Sequence, residues 1–177
     1  MKIEKRKLSV KEVTLMGMML ALLEVCKLAM MGIPNIELVT FLIIMYTLYF
    51  GKRIMFVIPA FVLIEGAIFG IHIWWIMYLY MWPLLACITY FSRKNDSPLF
   101  WSMLSAAFGF LFGFFCAIPY VVIGMVSGGI VNGFYAGFTW WIAGIPWDIV
   151  HGIGNFVIMF LLYHPIKKVF TKLKLTE

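Results

Sequence analysis

The sequence predicts an all-α fold, a polytopic membrane bundle of six transmembrane helices with both termini in the cytoplasm, and three observations carry that reading. The chain is 64% apolar and only 12% charged, with a mean hydropathy of +0.99, a composition foreign to a water-exposed domain of this size. Its apolar residues fall into six runs, at 13–31, 37–50, 54–70, 71–91, 99–125 and 147–163, against the roughly 20 residues a helix needs to cross the hydrocarbon layer. Its 14 Lys and Arg residues, Lys27 excepted, occupy alternate connections. They are Lys2, Lys5, Arg6, Lys7 and Lys11 in the first tail, Lys52 and Arg53, Arg93 and Lys94, and Lys167, Lys168, Lys172 and Lys174 in the last. The connections around 32–35, 70–72 and 126–146 carry no Lys or Arg. Basic connections stay on the cytoplasmic side, so the number of crossings is even and six fits.

Taken in order, the basic tail 1–11 has no cleavage pattern behind it, and the first run is expected to remain as an anchor within one integral membrane domain, 1–177. Within that run Glu24 and Lys27 stand three residues apart, close enough for an ion pair on one helix face. Gly17-x-x-x-Ala21 forms a short strip of small residues on the same helix. The second run opens with Glu37 after Pro34-Asn35, a place for a helix-start carboxylate. Glu65, in the third, has no sequence neighbour to neutralise it; it meets Lys27 or a histidine across the bundle, stays protonated, or lines a wet cavity.

The fourth run begins with His72, Trp74, Trp75, Tyr78 and Tyr80, which reads either as an interfacial belt or as rings turned inward to stack on a flat ligand. Ser105, Gly109, Gly113 and Ala117 recur every four residues along the fifth, a smooth strip for close helix approach, inside the bundle or against a partner. Residues 126–146 are uncharged, glycine-rich and aromatic, and are expected as an outer cap loop over the bundle or a belt in the headgroup layer. The last run starts at Pro146, with Asp148, His151 and Asn155 at helical spacing on one polar stripe. Cys26, Cys87 and Cys116 are isolated in apolar runs and read as small core residues.

The net charge of +6 follows from the placement of the basic residues, so anionic lipid is the expected partner and nucleic acid is not. The sequence holds no phosphate-binding loop, no His-Glu-x-x-His, no Gly-x-Ser-x-Gly and no Cys-x-x-Cys. An enzyme is therefore not expected, and no metal or cofactor is called for.

Six short helices with basic cytoplasmic ends, the Gly17-x-x-x-Ala21 strip, the run Ile-Pro-Asn-Ile-Glu-Leu-Val-Thr-Phe-Leu-Ile at 33–43 and Gly-Ile-Pro-Trp-Asp-Ile-Val-His-Gly-Ile-Gly-Asn-Phe at 144–156 together resemble an energy-coupling factor transporter S component. The resemblance implies a membrane subunit that binds a vitamin or related micronutrient on the outer face, then joins a transmembrane coupling protein and two ATPases for uptake. It maps the family's helix-1 docking contact onto Gly17 and Ala21. It also puts substrate in the outer half, where Asp148, His151 and Asn155 would hydrogen-bond its polar edge. Trp74, Tyr78, Trp140, Trp141 and Trp147 would stack on it, with Glu37 and Asn132 reaching in from loops. Two other classes stay open: a stand-alone secondary transporter using Glu65, Glu24 and Lys27, and a membrane scaffold with no ligand.

Overall fold

A computed structural model of the chain describes residues 8–175. The tail residues Lys2, Lys5, Arg6 and Lys7 and the side chain of Lys174 lie outside what is described. The described residues contain helices and turns and no strand. The helices are α1 (Val10–Met30), α2 (Val39–Phe50), α3 (Ile54–Phe69), α4 (Ile73–Ser92), α5 (Pro98–Phe110), α6 (Phe112–Cys116) and α7 (Ile118–Leu175), with a 3-10 turn at Gly51–Arg53. Three helical stretches are long and apolar enough to cross a membrane: α1, α4, and Phe112–Lys172, which spans α6 and most of α7. That is the signature of a membrane-embedded protein.

Local sequence explains where the helices start. Ser9 caps α1 in a reciprocal box with Glu12, satisfying amides that the first turn leaves open. Ser97 caps α5 by accepting from the Phe100 amide, with Pro98 in the first turn, where its missing N–H costs nothing. The α3–α4 connection is only three residues long because Gly70 adopts φ +87°, a left-handed conformation open to glycine.

At the centre lies α2, with every residue from Val39 to Thr47 buried. It packs against α1, α3, α4 and α7. A helix walled on all sides is apolar all round, and its polar groups must be satisfied from within; Thr47 accordingly donates its hydroxyl to the Ile43 carbonyl at 2.7 Å. At about 1.5 Å per residue, its 12 residues make a rod shorter than the bilayer core, in keeping with the shortness of its apolar run.

The largest departure from the sequence expectation falls at 126–146. These residues are helical on both sides of a break at Gly128 and Gly129, so they are not an irregular cap loop. Gly129 has φ +83° and reverses the chain, and the two arms of α7 close into a helical hairpin. A Cβ at Gly124 would come within 2.9 Å of the Gly133 Cα, which shows how tightly glycine lets the arms approach. The outer surface of the hairpin is apolar and exposed at Val126, Ile130, Val131, Phe134 and Phe138, so a segment with no room in water remains apolar without being buried in the bundle. Past the hairpin, the last apolar run continues as helix well beyond 163, through Pro165.

The bundle has two distinct ends. At one, Glu12 of α1 meets Arg53 at 2.9 Å, Phe50 of α2 meets Phe170 of α7, and Asp96 meets Lys167. All of the basic connections among the described residues gather there. The other end holds the residues that follow α1 and α3, the start of α4, and the middle of α7.

Candidate ligand-binding site

Two adjoining cavities open at the end remote from the basic connections, of 330 Å³ and 750 Å³, and they share Pro34, Asn35, Tyr78 and Phe112 as walls. The smaller reaches Lys27, Glu37, Trp82 and His151. The larger is lined by Trp74, Tyr120, Trp140, Trp147 and Asp148, among others. Cavities of this size, mostly apolar with a few converging polar groups, are where proteins hold small organic ligands.

Glu37 is fixed by the start of α2. Its carboxylate accepts from the Thr40 amide at 2.9 and 3.1 Å and also from the Thr40 hydroxyl, as a carboxylate at a helix N-terminus should. His151 of α7 brings Nε2 to 3.2 Å from the same carboxylate. The Phe112 ring packs edge-on against His151 at 4.9 Å. This bridge ties the loop after α1 to the middle of α7, and its members line the smaller cavity.

Asp148 does not cap the helix it belongs to, since α7 runs unbroken past Pro146. It caps α6 instead. The backbone leaves helical geometry at Leu111 (φ −95°, ψ 0°), which frees the amides that follow, and Gly113 donates its N–H to Asp148 Oδ1 at 2.9 Å. Asp148 is only 6% exposed, yet Oδ2 has no hydrogen-bond partner.

The aromatic residues divide by role. Trp74 and Tyr78 meet edge to face at 5.3 Å, and Trp140 stacks on Tyr120 at 4.7 Å with an interplanar angle of 22°; all four face the larger cavity. Trp147 lines it too and is half exposed. Trp75 is spent on the Val62 carbonyl and Tyr80 on the Phe115 carbonyl. Trp141 packs edge-on against Phe114 and Phe138, away from the cavity walls. Asn132 is exposed at the α7 break and donates to the Gly128 carbonyl at 2.8 Å. Asn155 is buried and reaches the Ser105 carbonyl at 3.4 Å, joining α7 to α5 below the cavities.

The charged trio arranges itself differently from a same-helix pair. Lys27 forms its ion pair with Glu65 of α3, whose side chain is fully buried. Glu24, also buried, has neither oxygen hydrogen-bonded. The Lys27 ammonium is ringed by Tyr78 at 4.9 Å, Phe69 at 5.1 Å, Trp74 at 5.5 Å and Phe61 at 5.8 Å, distances at which ring faces attract cations.

Several wall residues carried no advance signal. Phe112, Tyr120 and Trp82 look like ordinary members of apolar runs, and Pro34 and Asn35 like a plain turn. The break at Leu111, which frees the Gly113 amide and positions Asp148, has no proline or polar residue to announce it. No family model, curated protein or solved structure matches this chain, so the chemistry of the site rests on its own residues.

Proposed function

We propose that the chain is the substrate-specific binding subunit of an energy-coupling factor type importer, capturing a vitamin or related micronutrient from the outer side of the cell membrane. The observation that carries this reading is the pair of adjoining cavities at the end away from the basic residues, lined by Glu37, Trp74, Tyr78, Trp140, Trp147, Asp148 and His151. In this reading the basic end is cytoplasmic. The crossings are α1, α2, α3, α4, the rod of α5, α6 and the first arm of α7, and the second arm of α7, six in all with both termini inside. Ligand then enters from outside, between the loop after α1 and the α7 hairpin.

Uptake against a gradient needs an energy source, and the chain has no phosphate-binding loop. A transmembrane coupling protein and two ATPases supply it, docking on the Gly17 and Ala21 strip. Both residues are exposed, and the space around Gly17 is open for 4 Å, which fits a surface kept smooth for another helix.

The test is mass spectrometry of the small molecule that co-purifies with the full chain, followed by its affinity for an Asp148→Ala, His151→Ala double variant. A bound micronutrient whose affinity falls at least about tenfold, or about 1.4 kcal/mol, is expected; unchanged affinity overturns the site. Purification from the native host should also bring down the coupling protein and ATPases, and their absence counts against the importer. A secondary transporter has one observation in its favour, the unbonded Glu24 carboxylate beside the Lys27–Glu65 pair. Gradient-driven uptake by the chain alone in liposomes would select it.

A further inference from the structure

The capture reading leaves the chemical class of the ligand open, and the distribution of charge around the cavities narrows it. Four carboxyl groups stand in or behind these walls, Glu24, Glu37, Glu65 and Asp148, against one lysine, Lys27. Glu65 already holds Lys27, Glu37 is occupied by Thr40 and His151, and Glu24, though without a hydrogen bond, lines neither cavity. Asp148 differs from these. It lines the larger cavity and is 6% exposed, its Oδ1 is held by the Gly113 amide, and its Oδ2, packed against Gly113, has no hydrogen-bond partner. A buried carboxylate oxygen without a donor is costly, and the missing partner is a positive charge or a hydrogen-bond donor.

The walls beside Asp148 favour a positive charge carried on a ring. Trp74, Tyr78, Tyr120 and Trp140 present aromatic faces and edges to the same space, and such faces attract cations as well as flat apolar bodies. The chain shows the effect with its own side chain, for the Lys27 ammonium sits among Phe61, Phe69, Trp74 and Tyr78. An anionic ligand finds the reverse. The ammonium that could receive a carboxylate or phosphate is committed to Glu65, and the unpartnered group it meets is another anion.

We infer that the ligand of this site is a cationic heteroaromatic molecule, its ring held among Trp74, Tyr78 and Trp140 and its positive charge against the Asp148 carboxylate. This rests on the capture reading above. The Gly113 amide holds the carboxylate in place at the wall, and the 750 Å³ of the larger cavity accommodates one or two rings with substituents.

The test uses the full chain in detergent or nanodiscs, its tryptophan fluorescence as readout, and three probes that share one ring: 1-methylnicotinamide, a fixed cation; nicotinamide, its neutral counterpart; and nicotinate, an anion. The cation is expected to bind at least about tenfold more tightly than either other probe. Asp148→Asn, which keeps an acceptor for the Gly113 amide and removes the charge, should erase most of that preference while leaving neutral-ring binding in place. Should that variant fail to fold, the ranking of the three probes on the wild-type chain decides alone. Neutral or anionic rings binding as well as the cation would overturn the charge assignment and leave capture standing. Failure of all three probes to bind at millimolar concentration would overturn this ligand assignment, while the capture reading is decided separately by the molecule that co-purifies with the chain.

Discussion

Asp148 of α7 and Gly113 of α6 are joined by a 2.9 Å hydrogen bond in which a side chain from one helix caps another. The pairing depends on residue 113 being glycine, because a Cβ there would collide with the Asp148 carboxylate. It also depends on the irregular backbone at Leu111, without which the Gly113 amide would be spent inside a continuous helix. A break in one helix thus holds a buried carboxylate at the cavity wall.

Removing that acceptor should show in stability. Asp148→Ala leaves the Gly113 N–H buried without a partner, a loss of about 1–3 kcal/mol, while Asp148→Asn keeps a carbonyl for it and should lose clearly less. Thermal unfolding of both variants in one detergent checks this. Equal melting temperatures for the two would mean that the bond contributes nothing.

The Lys27–Glu65 pair makes a different prediction, since Glu65 is fully buried and the partners come from α1 and α3. Lys27→Met alone strands a carboxylate and should cost about 3–5 kcal/mol, as should Glu65→Met, which strands the ammonium; replacing both with methionine should recover most of the loss. A double-mutant cycle measures the coupling. Simple additivity of the two single losses would show that the residues do not act as a pair.

Helix positions and the polar cluster were legible in the sequence for reasons that differ from residue to residue. Apolar runs and basic connections marked the helices because lipid exposure and charge placement are properties of composition. Glu37, Asp148 and His151 stood out because polar residues in apolar runs are costly, and the fold does bring them to neighbouring cavity walls. What could not be read was pairing across the bundle. Lys27 lies one turn from Glu24 but meets Glu65, and Asn155, on the same stripe as His151, turns to the Ser105 carbonyl. Residues 126–146 looked like a loop because glycines are frequent there. In the fold those glycines serve close helix contact at Gly133 and Gly137, and only Gly128 and Gly129 leave the helix.

At the basic end the prediction concerns pH. Asp96, in the α4–α5 connection, is held below its ordinary pKa first by its hydrogen bond to Lys167 and then by the one from the Tyr163 hydroxyl, which donates at 3.0 Å. A carboxylate depressed on folding contributes stability at pH values above its unfolded pKa, near 3.9, and loses it as pH falls through the folded value. The melting-temperature advantage of wild type over Asp96→Asn should be constant from pH 7 to about 5 and shrink below about 4. Because the Asp96 side chain is 74% exposed, the advantage should also fall with salt. An advantage that grows on acidification would contradict the assignment.

Two glycines in small-residue strips should respond differently to an added side chain. At Gly109 of α5 an added Cβ would lie 2.8 Å from both the Cα and N of Gly152 on α7, and backbone cannot yield as a flexible side chain can. Gly109→Ala should therefore force α5 and α7 apart at a cost of about 1–3 kcal/mol, reported as a lowered melting temperature of the isolated chain. At Gly17 nothing lies within 4 Å, so Gly17→Leu should leave that temperature nearly unchanged, helped slightly by leucine's better helix propensity. If the Gly17 and Ala21 face receives the coupling protein, the same variant should abolish co-purification of the coupling module while ligand binding by the isolated chain persists. Loss of stability at Gly17, or intact assembly in Gly17→Leu, Ala21→Leu, would remove this face from the docking surface and return it to lipid.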